Sequence, residues 1–323
     1  MRTIVFNRDN ILADGQNNKL IYNFPNSVRF KDSYIAVSQV NMYYSWVNIS
    51  ALIGNNVFSY IFWDGAAGVT NVYTTFTITI PDGLYQVAEI NFLLQKEMID
   101  NGTYLINTDS NNVYPIELVI NPTRYAVQIN TYSFPNPELA DQTPASLILP
   151  VGWSYPANWV SVVPQGGLFP PNVTFNAIIS IPENFSKVVG YTTPIPFVTD
   201  PNESNTAAAP ITILGGQKNA VTGGISYLSN TAPDVNPNSS IYLNLSNIDN
   251  AYAQPTGIIY AITPNVIIGG TIAEKPPQFA WNKLIEGTYN QLRLDFLGVD
   301  LKPVQILDPN MTIMMVIKDR NEL

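Results

Sequence analysis

The sequence predicts an all-β protein: a single antiparallel jelly-roll β-sandwich with one covering helix and a loop-rich elaboration. Three observations predict it. Period-two runs of β-branched and aromatic residues recur more than ten times along the 323 residues. Only one stretch, inside Thr74–Gly102, changes to a helical period. The number of strands and the chain length favour a jelly roll over an immunoglobulin-like domain.

Arg2 to Phe6 is a short apolar strand, and Lys19 to Phe24 is a second, placing Leu20, Tyr22 and Phe24 on one face. Tyr34 to Tyr44 alternates Ile35, Val37 and Gln39 with Ala36, Ser38 and Val40. Ser45-Trp46-Val47-Asn48-Ile49 breaks that alternation and reads as a corner with an aromatic anchor. Val57 to Trp63 follows as a strand, then Thr74 to Ile80, with Phe76, Ile78 and Ile80 on its apolar side. Pro81-Asp82-Gly83 stops that strand, because proline donates no ladder hydrogen bond and Asp-Gly suits a turn. Leu84, Val87, Asn91, Leu94 and Met98 then share a helical face, with Asp82 as a candidate cap and Asn101-Gly102 as the stop.

Glu117–Ile120 and Arg124–Tyr132 form a hairpin around Asn121-Pro122-Thr123. From Phe134 to Pro237 prolines are dense and bases scarce, which reads as long ordered loops with a few strands such as Ser146–Val151 and Phe175–Ile181. Asn202–Ala209 is the candidate mobile tip of this region. Regular strands resume at Ser240–Leu245, Gly257–Ile262, Val266–Ile272 (interrupted by Gly269-Gly270 as a bulge or tight bend), Gln291–Phe296 and Thr312–Ile317. The last is nearly all apolar, as a central strand should be.

Composition narrows the chemistry. There is no histidine and no cysteine, so Ser-His, Cys-His and Cys/His zinc sites are excluded and no disulfide holds the fold. The net charge is −9 with no Lys/Arg cluster, which opposes a nucleic-acid surface. Charged residues are only 12% of the chain, against roughly a quarter in ordinary soluble domains. Such a surface suits either a protein covered by partners or an extracellular β protein. The start, MRTIVFNRDNIL, has no long apolar segment of a signal peptide, and no run reaches the length of a membrane span. A reducing cytoplasm is the expected folding compartment.

Asp295, Asp300 and Asp308 are the candidate carboxylate or calcium cluster, but Asp308-Pro309-Asn310 and Asp300 after Gly298 read more readily as turns. Glu89 and Lys96 belong on the solvated helix face. Trp46, Trp63, Trp153, Trp159 and Trp281 fit a sugar platform, or core and interface anchors, the commoner use of the residue. Eight Asn-x-Ser/Thr sequons, at Asn48, Asn101, Asn172, Asn184, Asn202, Asn238, Asn244 and Asn310, are explained by the asparagine-rich composition, and no glycosylation is expected. Gly215-Gly216 and Gly223-Gly224 are turn glycines, not a phosphate loop.

Three stretches carry a resemblance. They are VSQVNMYYSWVNISALIGNNVFSY followed by ITIPDGLYQVAEINFLLQKEM; PENFSKVVGY; and VNPNSSIYLNLSN with GIIYAI, closed by YNQLRLDFLGVDLKPVQILDPNMTIMMVIK. In this order they resemble the minor capsid, or penton, proteins of virophages, Polinton-like viruses and related large DNA viruses with double-jelly-roll major capsid proteins. The resemblance spans about residues 19–318 and is weakest over 134–167.

It implies one jelly-roll capsid domain over residues 1–323, with 134–237 as an elaboration at the outward end. It implies a homopentamer closing each icosahedral fivefold vertex, surrounded by the double-jelly-roll major capsid protein. The protein would be assembled in the host cytoplasm and carried in the virion. No catalytic, cofactor or metal residue, no nucleic acid and no membrane insertion is expected. The interface residues are not identified by the sequence. Two other classes remain: a carbohydrate- or receptor-binding β-sandwich of a viral spike, and a glycosidase-like enzyme, which the lack of a well-placed acidic pair disfavours.

Overall fold

The fold is that of a computed structural model, which describes residues 1–63, 73–131, 151–159, 177–192, 211–212 and 225–320. In chain order its elements are β1 (Arg2–Phe6), β2 (Lys19–Phe30), β3 (Ser33–Tyr43), β4 (Val57–Trp63), β5 (Tyr73–Thr79), α1 (Val87–Asp100), β6 (Leu105–Ile106), β7 (Asn112–Val113), β8 (Ile116–Asn121), β9 (Ala126–Thr131) and β10 (Ile178–Ser180). There follow α2 (Glu183–Ser186), β11 (Ile211–Thr212), β12 (Ile225–Leu228), β13 (Ile241–Leu245), β14 (Ile248–Asp249), β15 (Ile258–Ile262), β16 (Thr271–Glu274), β17 (Asn282–Leu284), β18 (Gly287–Leu297) and β19 (Thr312–Asp319).

The chain divides into two compact units: residues 1–48 with 236–323, and residues 49–235. The sequence reading placed no boundary at Asn48, because the strands of both units alternate in the same way. The proline-rich stretch 134–237 lies in the second unit except for its last two residues, and most of it, including Ser146–Pro150 and Asn202–Ala209, falls outside the described residues.

The first unit is a jelly roll, and its pairing explains itself. Take its eight principal strands in chain order, with β16 and β17 as two halves of the sixth. The first pairs with the eighth (β1·β19), the second with the seventh (β2·β18), the third with the sixth (β3·β16 and β3·β17), and the fourth with the fifth (β13·β15), all antiparallel. This is one long hairpin of paired strands. Two further pairings, β19·β3 and β13·β18, join the pairs into a sheet ordered β1-β19-β3-β17-β14 with β16 also on β3, and a sheet ordered β15-β13-β18-β2. That double-sheet interleaving is the jelly roll.

Alternation supplies its core. Ile313, Met315 and Ile317 of β19, Leu292, Leu294 and Phe296 of β18, and Ile241, Leu243 and Leu245 of β13 are all buried. β19 lies between β1 and β3, the central place its apolar sequence predicts. β2 runs on to Phe30, six residues beyond the expected end. It passes Pro25 where the pairing with β18 slips between Tyr289 and Gln291, and a proline on an edge strand costs no ladder bond there. The strand expected over Val266–Ile272 begins only at Thr271. Gly269 and Gly270 are part of a tight turn, with the Gly270 N–H donating to the Ile267 carbonyl at 2.8 Å, so of the bulge or tight bend expected here the structure has the tight bend.

The second unit has its own core. Phe58, Tyr60 and Phe62 of β4, Ile78 of β5, Ile179 of β10, Leu118 of β8, Val127 and Ile129 of β9 and the inner face of α1 form one buried cluster. Its sheets are β10-β4-β5 and β11-β12-β9-β8, with β6·β7 as a small hairpin. The helix begins at Val87, three residues later than the sequence suggested, and buries Val87, Ile90, Leu94 and Met98. Its first turn is closed by Glu89, whose Oε2 accepts from the Gln86 N–H at 2.7 Å, so Asp82 is not the cap. Asp82 instead accepts from the Ala51 N–H at 2.8 Å. Asn91 accepts from the Leu118 N–H at 2.8 Å and ties the helix to β8. The helix stops at Gly102, as expected, with φ +67° and a Cβ position only 1.8 Å from the Asn158 carbonyl oxygen.

Two outcomes follow from separate cores. Leu94→Ala and Leu294→Ala should each cost about 2–5 kcal/mol, and scanning calorimetry should show each lowering a different transition; a single transition lowered equally by both would contradict it. Gly102→Ala should cost at least about 1–2 kcal/mol from the left-handed backbone alone, read as a lowered denaturation midpoint of the second unit.

Candidate functional site

The acidic residues flagged near the C-terminus do structural work. Asp308 accepts from the Asn310 N–H at 2.8 Å and from the Tyr43 N–H at 3.2 Å, which fixes the loop before β19 onto the end of β3. Asp300 accepts from the Lys302 N–H at 3.0 Å in an exposed turn. Asp295 on β18 receives the Arg293 guanidinium, with Nε at 3.0 Å and Nη2 at 2.9 Å. Among the described residues no three acidic side chains are grouped so as to hold a metal ion. Glu89 caps the helix, and Lys96 pairs with Asp100 one turn on.

Within each unit, the described tryptophan side chains do not gather into a platform. Trp46 is buried in the first unit, its Nε1 donating to the Asn238 carbonyl at 2.9 Å and its ring 4.3 Å from that of Tyr44. Tyr44 in turn donates to Asn236 Oδ1 at 3.2 Å. The segment that follows β3 and the segment that leads into β13 are thereby clamped side by side. This is the aromatic corner that the sequence marks at Ser45–Ile49. Trp153 and Trp159 pack on the core of the second unit, Trp159 against Phe62 and Tyr155 at 5.7 and 4.6 Å. Trp281 lies beside Phe279 at 5.4 Å and beneath the Lys318 ammonium at 3.9 Å. Trp63 ends β4.

Charge is divided between the units more sharply than the composition reveals. The jelly-roll unit has eleven basic and eleven acidic residues and is neutral, while residues 49–235 hold four basic and thirteen acidic ones and carry the whole net charge of −9. Exposed apolar side chains also collect outside the flagged residues. Tyr43, Leu12, Ile267, Ile268, Val299, Leu301 and Leu307 are exposed at the loops joined to the end of β3. Backbone hydrogen bonds connect these loops: Leu307 N–H to the Ser45 carbonyl, Ile306 N–H to the Gln16 carbonyl, and Gly269 N–H to the Tyr44 carbonyl, at 3.0, 2.9 and 2.9 Å. Sequence reasoning missed them because apolar loop residues look like strand interior.

Burial, not catalysis, governs the shifted protonation equilibria. Burial pushes the Tyr60 hydroxyl up to about 12, against a lowering contribution from its hydrogen bond with Thr103 at 2.9 Å. It pushes Tyr155 up to about 12 and raises Tyr191 further, against a lowering contribution from a backbone hydrogen bond with Ile129. Asp234 is also raised by burial, with Lys187 opposing.

The geometry therefore defines a jelly-roll protein with a second β unit inserted between its third and fourth strands. No family model matches the sequence, and no curated protein matches it. Two solved structures are similar to the chain along nearly its whole length. One is the selenomethionine-labelled mavirus penton protein, with 9% identity, a TM-score of 0.36 and 98% of each chain covered. The other is a chain of the Sputnik virophage structure solved by electron cryomicroscopy, with 10% identity, a TM-score of 0.33, and 100% of this chain and 99% of that chain covered.

The buried tyrosines give the second unit a pH limit. A hydroxyl that ionises near 10.0 when unfolded and near 12 when folded stabilises fully below pH 10, and that stability is lost as pH rises through about 12. The denaturation midpoint of the second unit should fall across this window, and Tyr60→Phe should flatten the fall. A midpoint independent of pH between 10 and 12 would contradict the assignment.

Proposed function

We propose that this chain is a structural capsid protein of a virion and not an enzyme: a penton, or minor capsid, protein whose homopentamers close the icosahedral fivefold vertices. The observation that carries the reading is the place of the sequence resemblance in the jelly roll. Its first and third stretches cover all or most of β3, β13, β15, β18 and β19, five of the eight principal strands, while the rest of the first, through β4 and α1, and the second, with α2, lie in the inserted unit. Fold alone does not assign function. A jelly roll whose own strands bear the resemblance makes the stronger case.

The chemistry of the chain supports the same reading. With no histidine or cysteine anywhere, and with the three flagged aspartates held in turns and an arginine pair, no acid–base or nucleophilic constellation is assembled among the described residues. A jelly roll with balanced charge can meet copies of itself without net repulsion, as a fivefold ring requires. In this reading residues 134–237 are an elaboration at the outward end of one capsid chain, the major capsid protein with its double jelly roll is the flanking partner, and assembly takes place in the host cytoplasm. The alternative of a sugar-binding spike draws no support from Trp46, which is buried, or from Trp153 and Trp159, which pack on the core of the second unit.

The native mass tests it. Light scattering behind a sizing column, across protein concentration and salt, should return five subunits. A stable trimer would transfer the chain to a spike or to a capsid position of other symmetry, and a monomer at every concentration would remove the self-assembling vertex reading.

A further inference from the structure

Between Asp249 and Glu274 no residue is charged, a run of 24 positions. The equally uncharged β3 is a central strand and largely buried, so its lack of charge is a packing requirement. The run from 250 to 273 is different. It forms the loop before β15, the edge strand β15 itself, and the loop after it. Its two loops carry some of the most exposed apolar side chains in the jelly-roll unit: Tyr252 at 102% and Ile267 at 85%, with Ile268 at 40%. Ala261 is exposed and Tyr260 half-buried on the strand between them. A five-residue strand spans about 17 Å, so the two exposed loops flank the ends of one short uncharged edge strand.

The strip is held in shape. The Gly269 N–H donates to the Tyr44 carbonyl and the Tyr44 N–H to the Gly270 carbonyl, each at 2.9 Å, which pins the Ile267–Ile268 tip to the end of β3. Tyr260 donates to Glu274 Oε2 at 3.1 Å and fastens β15 to β16. An apolar knob already ordered loses little entropy on contact. The other edges are defended: β1 carries Arg2 in an ion pair with Asp319 at 2.7 Å, β2 carries Pro25, and β16 ends in Glu274. On β15 the pairing with β13 slips between Leu243 and Asn244, which discourages continued strand addition and leaves side-chain packing as the mode of contact.

The geometry points to this strip, Tyr252 to Ile268, as a contact surface for a second copy of the same chain. The occupant follows from charge. Residues 49–235 carry the whole −9, so copies repel through that unit, whereas a strip without charge on the neutral unit lets two copies meet there without burying an ion. A partner selected by opposite charge would need acidic or basic residues here. In a closed ring the strip meets a different patch on the neighbour, because ring contacts are heterologous. The inference rests on the self-assembly proposed above and adds which surface performs it.

Ile267→Asp and Tyr252→Asp test it in the full chain, with Phe92→Asp, an exposed apolar helix position in the other unit, as the control. Both side chains of the strip face solvent, so thermal midpoints should stay near that of the parent protein. Analytical ultracentrifugation should show each strip variant dissociating at a concentration at least tenfold higher than the parent, and Phe92→Asp unchanged. A parent pentamer that the strip variants leave intact overturns the inference and leaves the vertex reading standing. A parent dimer or trimer that they dissociate upholds the contact surface and overturns the vertex reading. A parent that is monomeric at every concentration overturns both.

Discussion

The structure depends on the antiparallel pairing of the two ends of the chain. Arg2–Phe6 lies register by register against Ile317–Ile313, and β19 in turn lies on β3. Without β19 the first sheet separates into an isolated β1 and the β3 group, and Ile313, Met315 and Ile317 leave the core. A strand of eight residues cannot be stable alone in water; it needs ladder partners on both sides and an apolar face covered by the second sheet. Every other pairing of the jelly roll is nested inside this outermost one. Such pairing over nearly the whole chain length makes folding slow, because distant segments must meet before their contacts are formed.

Nesting also explains how the jelly roll carries 187 residues between its third and fourth strands. The entropy of closing a loop rises only with the logarithm of its length, about 0.6 kcal/mol for each doubling. What the scaffold must supply is a fixed spacing between the points where the chain departs and returns. Trp46, hydrogen-bonded to Asn238, and Tyr44, hydrogen-bonded to Asn236, supply it within the jelly roll. The inserted unit then needs only its own core, which α1, β4, β5, β8 and β9 provide. The separation allows each unit its own surface chemistry. One is balanced in charge and bears an uncharged edge strand between exposed apolar loops; the other carries the whole net negative charge.

Much of this was legible from local pattern. The alternation of Leu292, Leu294 and Phe296, or of Phe76, Ile78 and Ile80, reports a half-buried strand because successive side chains point to opposite faces. The absence of histidine and cysteine limits chemistry whatever the fold. Asp308 and Asp300 were recognisable as turn residues because a carboxylate after a strand accepts from the backbone two residues on. The helix start was misplaced because Asp82 has the right chemistry for a cap, but the Ala51 N–H, 31 residues earlier, claims it.

By itself, then, the sequence determined the element types, the all-β class and the exclusion of histidine and cysteine chemistry, since these follow from neighbours a few residues apart. Tertiary structure alone decided which strands pair, where the chain divides into two units, and which apolar residues stay outside. Val266, Ile267 and Ile268 read as strand interior in sequence. They become a loop tip because Tyr44, more than 200 positions away, takes the backbone hydrogen bonds that close the turn. Pairing across such separations leaves no local periodicity.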